Sequence, residues 1–417
     1  MKAKDVLIMA HKKSRRGIHL VASENVMPLD ATLPYLTNVF NRYVYDIDKK
    51  DGKEKEDLAA QLPGFTNIDE LNLLEEECNH KLCEMLGARY SNVKAISGLN
   101  MIISVVGSLV LKNEVVLSLP INAGGHAATK YLVERLGIEH HFLPVKLVGE
   151  EIDIDYEKLC SLIQKIKIKL IYIDLMNVIY TINIRRLRQI IGSGTIICFD
   201  ASHVLGIIMG GRFQNPLQEG ADILVGSTHK SFPGPHKGVF VTNRKWYKML
   251  YEINSDLFIS HTHIADIISL SIVLDKGKAY FEKYAQTIQE NVKLFVETLK
   301  KRKITAYAGV SHQVWIDCNG IDVPRVIAKC KELEIYLNQI ELPFYGNVGL
   351  RIGLQEITYQ QFTSDDIIQL AKVIAAILQN VPISKEVRVW LAKRRKKKKR
   401  GYRIEKIKFL AHIIRNI

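Results

Sequence analysis

From about residue 90 to 255 the chain alternates two hydrophobic patterns. One is a set of short, nearly unbroken apolar runs: 115-VVLSL-119, 141-HFLPV-145, 169-KLIYIDL-175, 195-TIICFD-200, 222-DILVGS-227 and 238-GVFVT-242. The other has apolar residues returning every three or four positions, as in 124-GGHAATKYLVERLG-137 and 155-DYEKLCSLIQKIK-167. Strands apolar on both faces and separated by helices predict an α/β fold with a mostly parallel sheet covered on both sides. Ligands of such sheets sit at the carboxyl ends of the strands. A helical pattern then runs from about 264 to 301. It leads into a second α+β region, about 303–380, with strand-like 313-QVWID-317 and 349-GLRIGL-354. The expected division is an N-terminal arm (1–20), a large domain (21–260), a smaller C-terminal domain (261–385) and a tail (386–417).

The composition, 47% apolar and 24% charged over 417 residues, is ordinary for a globular protein of this size. No apolar run reaches the roughly 18–20 residues that span a bilayer, and the N-terminal VLIMA is too short for a signal peptide. Cytoplasm without membrane association is the expectation. The formal charge of +14 is unevenly placed: residues 386–417 hold 13 Lys/Arg against 2 Glu, which leaves +3 for the rest. Within the tail, 393-KRRKKKKR-400 could touch nucleic acid or anionic lipid. No aromatics interleave the basic residues as a single-strand-binding surface requires. A solvated run between helix-like VRVWLA and IEKIKFLAHII is the favoured reading. The six cysteines form no CxxC pair, so neither disulfides nor a metal site is expected, and Cys160 and Cys198 read as small core residues.

Two apolar strands end in polar clusters, 196-IICFDASH-203 and 223-ILVGSTHK-230, which a parallel sheet delivers to one edge. A carboxylate closing so apolar a strand needs a cationic partner. For Asp200 that partner is either Lys230 or a protonated pyridine nitrogen. The second choice implies pyridoxal phosphate (PLP), whose sites pair a Schiff-base lysine with an aspartate on the ring nitrogen. The phosphate then needs a cup, and 97-SGLN-100, opening the helix-like MIISVVGSLVL, offers a hydroxyl and N-terminal amides.

The chain resembles serine hydroxymethyltransferase, a fold-type-I PLP enzyme, over nearly all of residues 18–380. The resemblance rests on 20-LVASENVMP-28, 97-SG-98, 124-GGH-126, 200-DASHVLGII-208, 227-STHK-230 and 350-LRIG-353. It implies a large domain built on a seven-stranded-type sheet, a smaller C-terminal domain, and a homodimer with shared active sites. Lys230 would form the internal aldimine, Asp200 would pair with the pyridinium nitrogen, and His203 would lie beside the cofactor. His126 would stack on its ring, and Ser97, Gly98 and His229 would surround its phosphate. Arg351 and Ser23 would hold the substrate carboxylate, a task suited to the planar guanidinium fork. Tyr43 would reach a neighbouring subunit's cofactor.

The departures cluster around the folate-linked part of the family's site. Tyr45 stands where the family has its acid/base glutamate, and a phenol with an unperturbed pKa of about 10 is a poor base at neutral pH. This leaves His126 or a water as the candidate base. Charged 48-DKKDGKEKED-57 replaces Tyr-Tyr-Gly-Gly, Leu99 replaces a phosphate-loop serine, His236 replaces an arginine, and 260-SHTHIAD-266 replaces a Gly-Gly loop. With 233-PGPHKG-238 and 338-NQIELP-343, the pattern is similar to the folate-independent threonine aldolases and transaldolases. The expected function is to make or break the Cα–Cβ bond of serine, threonine and glycine through a glycine quinonoid, with an aldehyde partner and without folate. The alternatives are a folate-dependent glycine hydroxymethyltransferase, a PLP aminotransferase, and a non-catalytic relative that binds nucleic acid through its tail.

Overall fold

The computed structural model describes residues 1–44, 69–255, 257–259, 261 and 263–394. The central sheet contains β1 (Tyr90–Asn92), β2 (Val115–Ser118), β3 (Glu139–Phe142), β4 (Ile168–Asp174), β5 (Ile196–Asp200), β6 (Ile223–Ser227) and β7 (Gly238–Thr242). Their order is β1-β7-β6-β5-β4-β2-β3, and β7 alone runs against its neighbours. This is the mostly parallel, fold-type-I sheet expected. Its central strands are apolar throughout because both faces are covered. Ile171, Ile173, Phe199 and Leu224 enter one hydrophobic cluster, while Leu170, Tyr172, Cys198 and Val225 alternate into another.

The helices used below are α1 (Ala3–Arg16), α2 (Asp69–Leu86), α3 (Gly98–Leu109), α4 (Ala127–Arg135), α5 (Ile264–Leu274), α6 (Gly277–Lys300) and α7 (Ser364–Leu378). The single helical pattern read over 264–301 is two helices, α5 and α6. Gly277 breaks it with φ at 71°, a left-handed conformation that glycine takes without steric cost. Beyond α6, four antiparallel strands form a second sheet: β8 (Ala306–Ala308), β9 (Gln313–Asp317), β10 (Asn338–Glu341) and β11 (Val348–Gly353), in the order β8-β9-β11-β10.

Three local expectations need correction. Cys198 is buried in β5 as expected, but Cys160 is exposed, because the helix Tyr156–Ile163 turns it to solvent. The strand-like run 141–145 is split between β3, which ends at Phe142, and an exposed hairpin, Val145–Val148/Glu151–Ile154, of which the sequence reading includes only Val145. The basic run is anchored at its start: a helix over 385–394 brings Arg394 to Asp366 at 3.2 Å and onto the Phe362 ring. Residues 395–417 lie outside the described residues. Among the described residues no helix is long and apolar enough to cross a membrane.

Lys237, just before β7, is fully buried, with Nζ 3.4 Å from the Lys94 carbonyl oxygen. Burial pulls its pKa from 10.5 down to about 8, against the opposing charges of Asp266, Cys78 and Glu75. A folded-state pKa below the unfolded value means stability is lost as pH falls towards 8 and is recovered towards 10.5. Lys237→Met is therefore expected to be more stable than wild type at pH 7 by about 3 kcal/mol. That advantage should shrink by pH 10, and urea midpoints at the two pH values measure it.

Candidate active site at the carboxyl ends of the central strands

A cavity of about 260 Å³ opens where β4, β5 and β6 end, roofed by the amino end of α3 and the loop entering α4. Ser97, Gly98, His126, Asp200, His203, His229 and Lys230 all line it, so seven of the sequence-predicted residues converge there.

Asp200 closes β5, buried, and accepts hydrogen bonds from Ser202 N–H (2.8 Å) and the Tyr172 hydroxyl (3.1 Å). It forms no ion pair among the described residues. Lys230 follows β6 in a loop that folds back on itself. Thr228 N–H donates to Lys237 O, the Thr228 hydroxyl donates to Pro235 O, and Gly234 N–H returns to Thr228 O. The Pro-Gly-Pro turn thus closes the loop, and Asn25 Nδ2 donates to the Lys230 carbonyl oxygen at 2.8 Å. Burial lowers the Lys230 pKa, Asp200 opposes that, and Arg351 adds to it. A lysine so placed loses its proton more readily than a free one, which favours nucleophilic chemistry.

His126 caps α4, its Nδ1 accepting the Ala128 N–H at 3.2 Å. Burial lowers its pKa, so the ring is neutral. With the Nδ1 lone pair engaged, the neutral imidazole carries its proton on Nε2. The ring then suits stacking and donation better than the base role considered from sequence. The two glycines before it are sterically required. A Cβ on Gly124, at φ 93°, would lie 2.4 Å from Asn177 O, and one on Gly125 would lie 2.2 Å from Leu119 O. His203 is buried and kept neutral by burial, its Nδ1 accepting Gln313 Nε2–H at 3.2 Å.

At the amino end of α3, the Ser97 hydroxyl accepts the Asn100 N–H. A Cβ on Gly98 would come within 3.2 Å of both Ser202 Oγ and Ser227 Cβ, so this position is a cradle. Facing it, Ser227 Oγ and His229 Nδ1 are buried without hydrogen-bond partners among the described residues. The His229 ring stacks on His236 at 3.8 Å, and burial, His236 and Lys230 together bring its pKa down to about 3. A helix N-terminus beside unpartnered buried polar atoms is the donor set a phosphate requires. The uncompensated Asp200 likewise suits a protonated ring nitrogen. On both counts the residues fit pyridoxal phosphate.

Arg351 comes from β11 of the second sheet and is buried. Its Nη1 donates to Asn177 Oδ1 (2.7 Å) and Met176 O (3.2 Å), and its Nε donates to Asn338 Oδ1 (3.4 Å). All three acceptors are neutral, and burial alone lowers its pKa to about 10. Ser23 lies on a segment tied to this strand through Gly353 N–H to Leu20 O and Gln355 Nε2 to Val21 O, but it makes no hydrogen bond to Arg351. Tyr43 is not brought to the cavity: it is 47% exposed and stacks on His261 at 4.3 Å. Tyr45 lies outside the described residues.

Several residues in or behind the cavity wall were not found from sequence. Asp174, closing β4, accepts the N–H groups of Leu119 and His126, both at 3.0 Å, and burial raises its pKa to about 8. The signal that exposed Asp200, a carboxylate ending an apolar strand, was present in 169-KLIYIDL-175 too. Tyr172, Asn177 and Gln313 carried no comparable signal.

The family model described as serine hydroxymethyltransferase matches residues 2–374. An L-threonine:uridine-5'-aldehyde transaldolase from Streptomyces sp is 32% identical over 363 residues, 84% of this chain and 82% of that protein. A serine hydroxymethyltransferase from Pyrobaculum calidifontis is 31% identical over 397 residues, 90% of this chain and 89% of that one. Among solved structures, an L-threonine transaldolase from Pseudomonas fluorescens shares the fold with a TM-score of 0.83 at 21% identity, covering 94% of this chain and 90% of that one.

Proposed function

The chain belongs to the serine hydroxymethyltransferase family of PLP-dependent enzymes acting on amino acids, and from that premise we propose a folate-independent aldolase or transaldolase reaction. It makes or breaks the Cα–Cβ bond of a β-hydroxy amino acid and passes an aldehyde to or from glycine. The observation that carries the reading is a pair of buried, opposite charges, Asp200 and Arg351, neither of which has an ionic partner among the described residues. One suits a cofactor cation and the other a substrate carboxylate.

Bound there, pyridoxal phosphate supplies an electron sink for charge developing at Cα. The chain supplies the rest. Ser97, Gly98 and His229, with Ser227, would hold the phosphate; Asp200 would face the ring nitrogen and favour its protonated form; His126 would cover the ring and His203 would lie beside it. Lys230 would provide the ε-amine that anchors the cofactor. Arg351, with Ser23 nearby, clamps the carboxylate so that the scissile bond is oriented. Removal of the β-hydroxyl proton falls to a water, since the Nδ1 lone pair of His126 is engaged.

Folate independence is supported by Tyr45 in place of the family's glutamate and by the similarity to a transaldolase. A cytoplasmic homodimer is part of the proposal. Leu99 and Ile96, beside the cavity roof, are 48% and 44% exposed, as is expected of a surface that a second chain covers. Tyr43 would then serve the neighbouring site. The test is threonine cleavage by the PLP-loaded protein. Glycine and acetaldehyde should form at a rate that tetrahydrofolate does not raise, and a second aldehyde should divert the product. Serine turnover that demands tetrahydrofolate, with threonine inert, would overturn the reading.

A further inference from the structure

The segment leaving β4 has no role in the family resemblance, yet it is held more firmly than a connecting loop requires. Met176 N–H and Asn177 N–H both donate to Gly124 O, at 2.9 and 3.0 Å, and Gln313 Nε2 donates to Met176 O at 3.1 Å. Three parts of the fold thereby fix this backbone: the loop before His126, the end of β4, and β9 of the second sheet. From that base, Asn177 Oδ1 accepts from Arg351 Nη1 in the shortest contact the guanidinium makes.

The chemistry of that acceptor matters. A guanidinium has five N–H donors, and here amide and carbonyl oxygens engage Nη1 and Nε while no described residue accepts from Nη2. Neutral acceptors orient the fork without cancelling its charge. A carboxylate at the same place would do both, forming a buried ion pair that any incoming carboxylate would have to displace.

We propose that Asn177 is the positioning residue for recognition of the amino-acid carboxylate, aiming the Arg351 guanidinium while leaving its charge uncompensated. The proposal rests on the reading of Arg351 as the carboxylate-binding group.

The experiment titrates the PLP-loaded protein with glycine and, separately, with methylamine, which keeps the amine but has no carboxylate. Binding is read from the change in cofactor absorption, and KM and kcat for threonine are measured alongside. Asn177→Ala should weaken glycine binding about tenfold, the effect of losing one hydrogen bond to a charged group. KM should rise more than kcat falls. Asn177→Asp should weaken glycine by at least about a hundredfold, because Arg351 then carries an internal counter-ion. Methylamine affinity should not follow either change. Glycine and methylamine weakened equally would indicate general disruption and overturn the proposal. So would wild-type glycine affinity in both variants while Arg351→Lys weakens it, a result that leaves the Arg351 reading standing. If Arg351→Lys itself leaves glycine binding intact, the premise about Arg351 fails, and the proposal with it.

Discussion

Lys230→Ala is expected to fold normally and to lose both its covalently held cofactor and its activity. The loop that carries residue 230 is closed by backbone and Thr228 hydroxyl contacts, not by the lysine side chain, so truncation leaves its scaffold intact. The ε-amine sits where burial disfavours the ammonium form and Asp200 restores part of it. Loss of a general acid/base group alone is worth about 10²–10⁴ in rate, and here the covalent anchor goes with it. The decrease in kcat should exceed about 10³-fold, and the absorption of covalently bound cofactor should vanish. A second buried lysine lies seven positions on, which makes the test discriminating. Lys237 does not line the cavity, and its Nζ faces the Lys94 carbonyl, so it cannot stand in. Cofactor absorption that survives in Lys230→Ala would place the anchor elsewhere and sink the assignment.

The reason Lys230 was legible in the sequence also explains what was not. Central strands such as Ile223–Ser227 are buried on both faces, so they appear as unbroken apolar runs, and the first polar residues after them mark the sheet edge. Asp200 and Lys230 stood out against that background. Asp174 ends its strand in the same way, but Leu175 and Met176 follow it and carry the apolar run onward. The roles of Asn177 and Gln313 depend on partners more than a hundred residues away, a relation that no local pattern carries. Elements that pack little were missed for the opposite reason. The Val145–Val148/Glu151–Ile154 hairpin is largely exposed, and the few residues it packs inward, Val145, Ile152 and Ile154, are too sparse to impose a period. Gly277 was missed because only two residues separate the end of α5 from the start of α6, so a nearly continuous helical stretch conceals the break.

The site is assembled from two sheets, and this governs how its charges can be tested. Asp200 and Lys230 lie at the carboxyl edge of the central sheet, while Arg351 enters from the second one and donates to Asn177 in the loop after β4. Its charge disfavours protonation of both Lys230 and His203. A substrate carboxylate arriving at Arg351 would neutralise that field, so binding at one sheet alters proton affinity at the other.

Asp200→Asn probes the opposite charge, and its expected effect is of the same order as that of removing the lysine. The amide keeps the size of the carboxylate; its oxygen can still accept the Ser202 N–H, while its NH2, in place of Oδ2, can donate to the Tyr172 hydroxyl oxygen. Folding and cavity shape should therefore survive, and what is lost is the negative charge. Breaking a buried charge pair costs about 3–5 kcal/mol, which corresponds to roughly 10²–10³·⁵ in kcat if the ring nitrogen no longer keeps its proton. Cofactor affinity should fall as well. The sign of a second effect is fixed independently. Asp200 raises the Lys230 pKa, so removing its charge must lower that pKa further, and the pH dependence of the bound-cofactor spectrum should move to lower pH. Asp200→Glu retains the charge but displaces it by one methylene, so it should preserve the direction of the pH dependence while still losing rate. An Asn variant with kcat/KM within tenfold of wild type, or with its spectral titration moved to higher pH, would show that Asp200 does not face the cofactor cation.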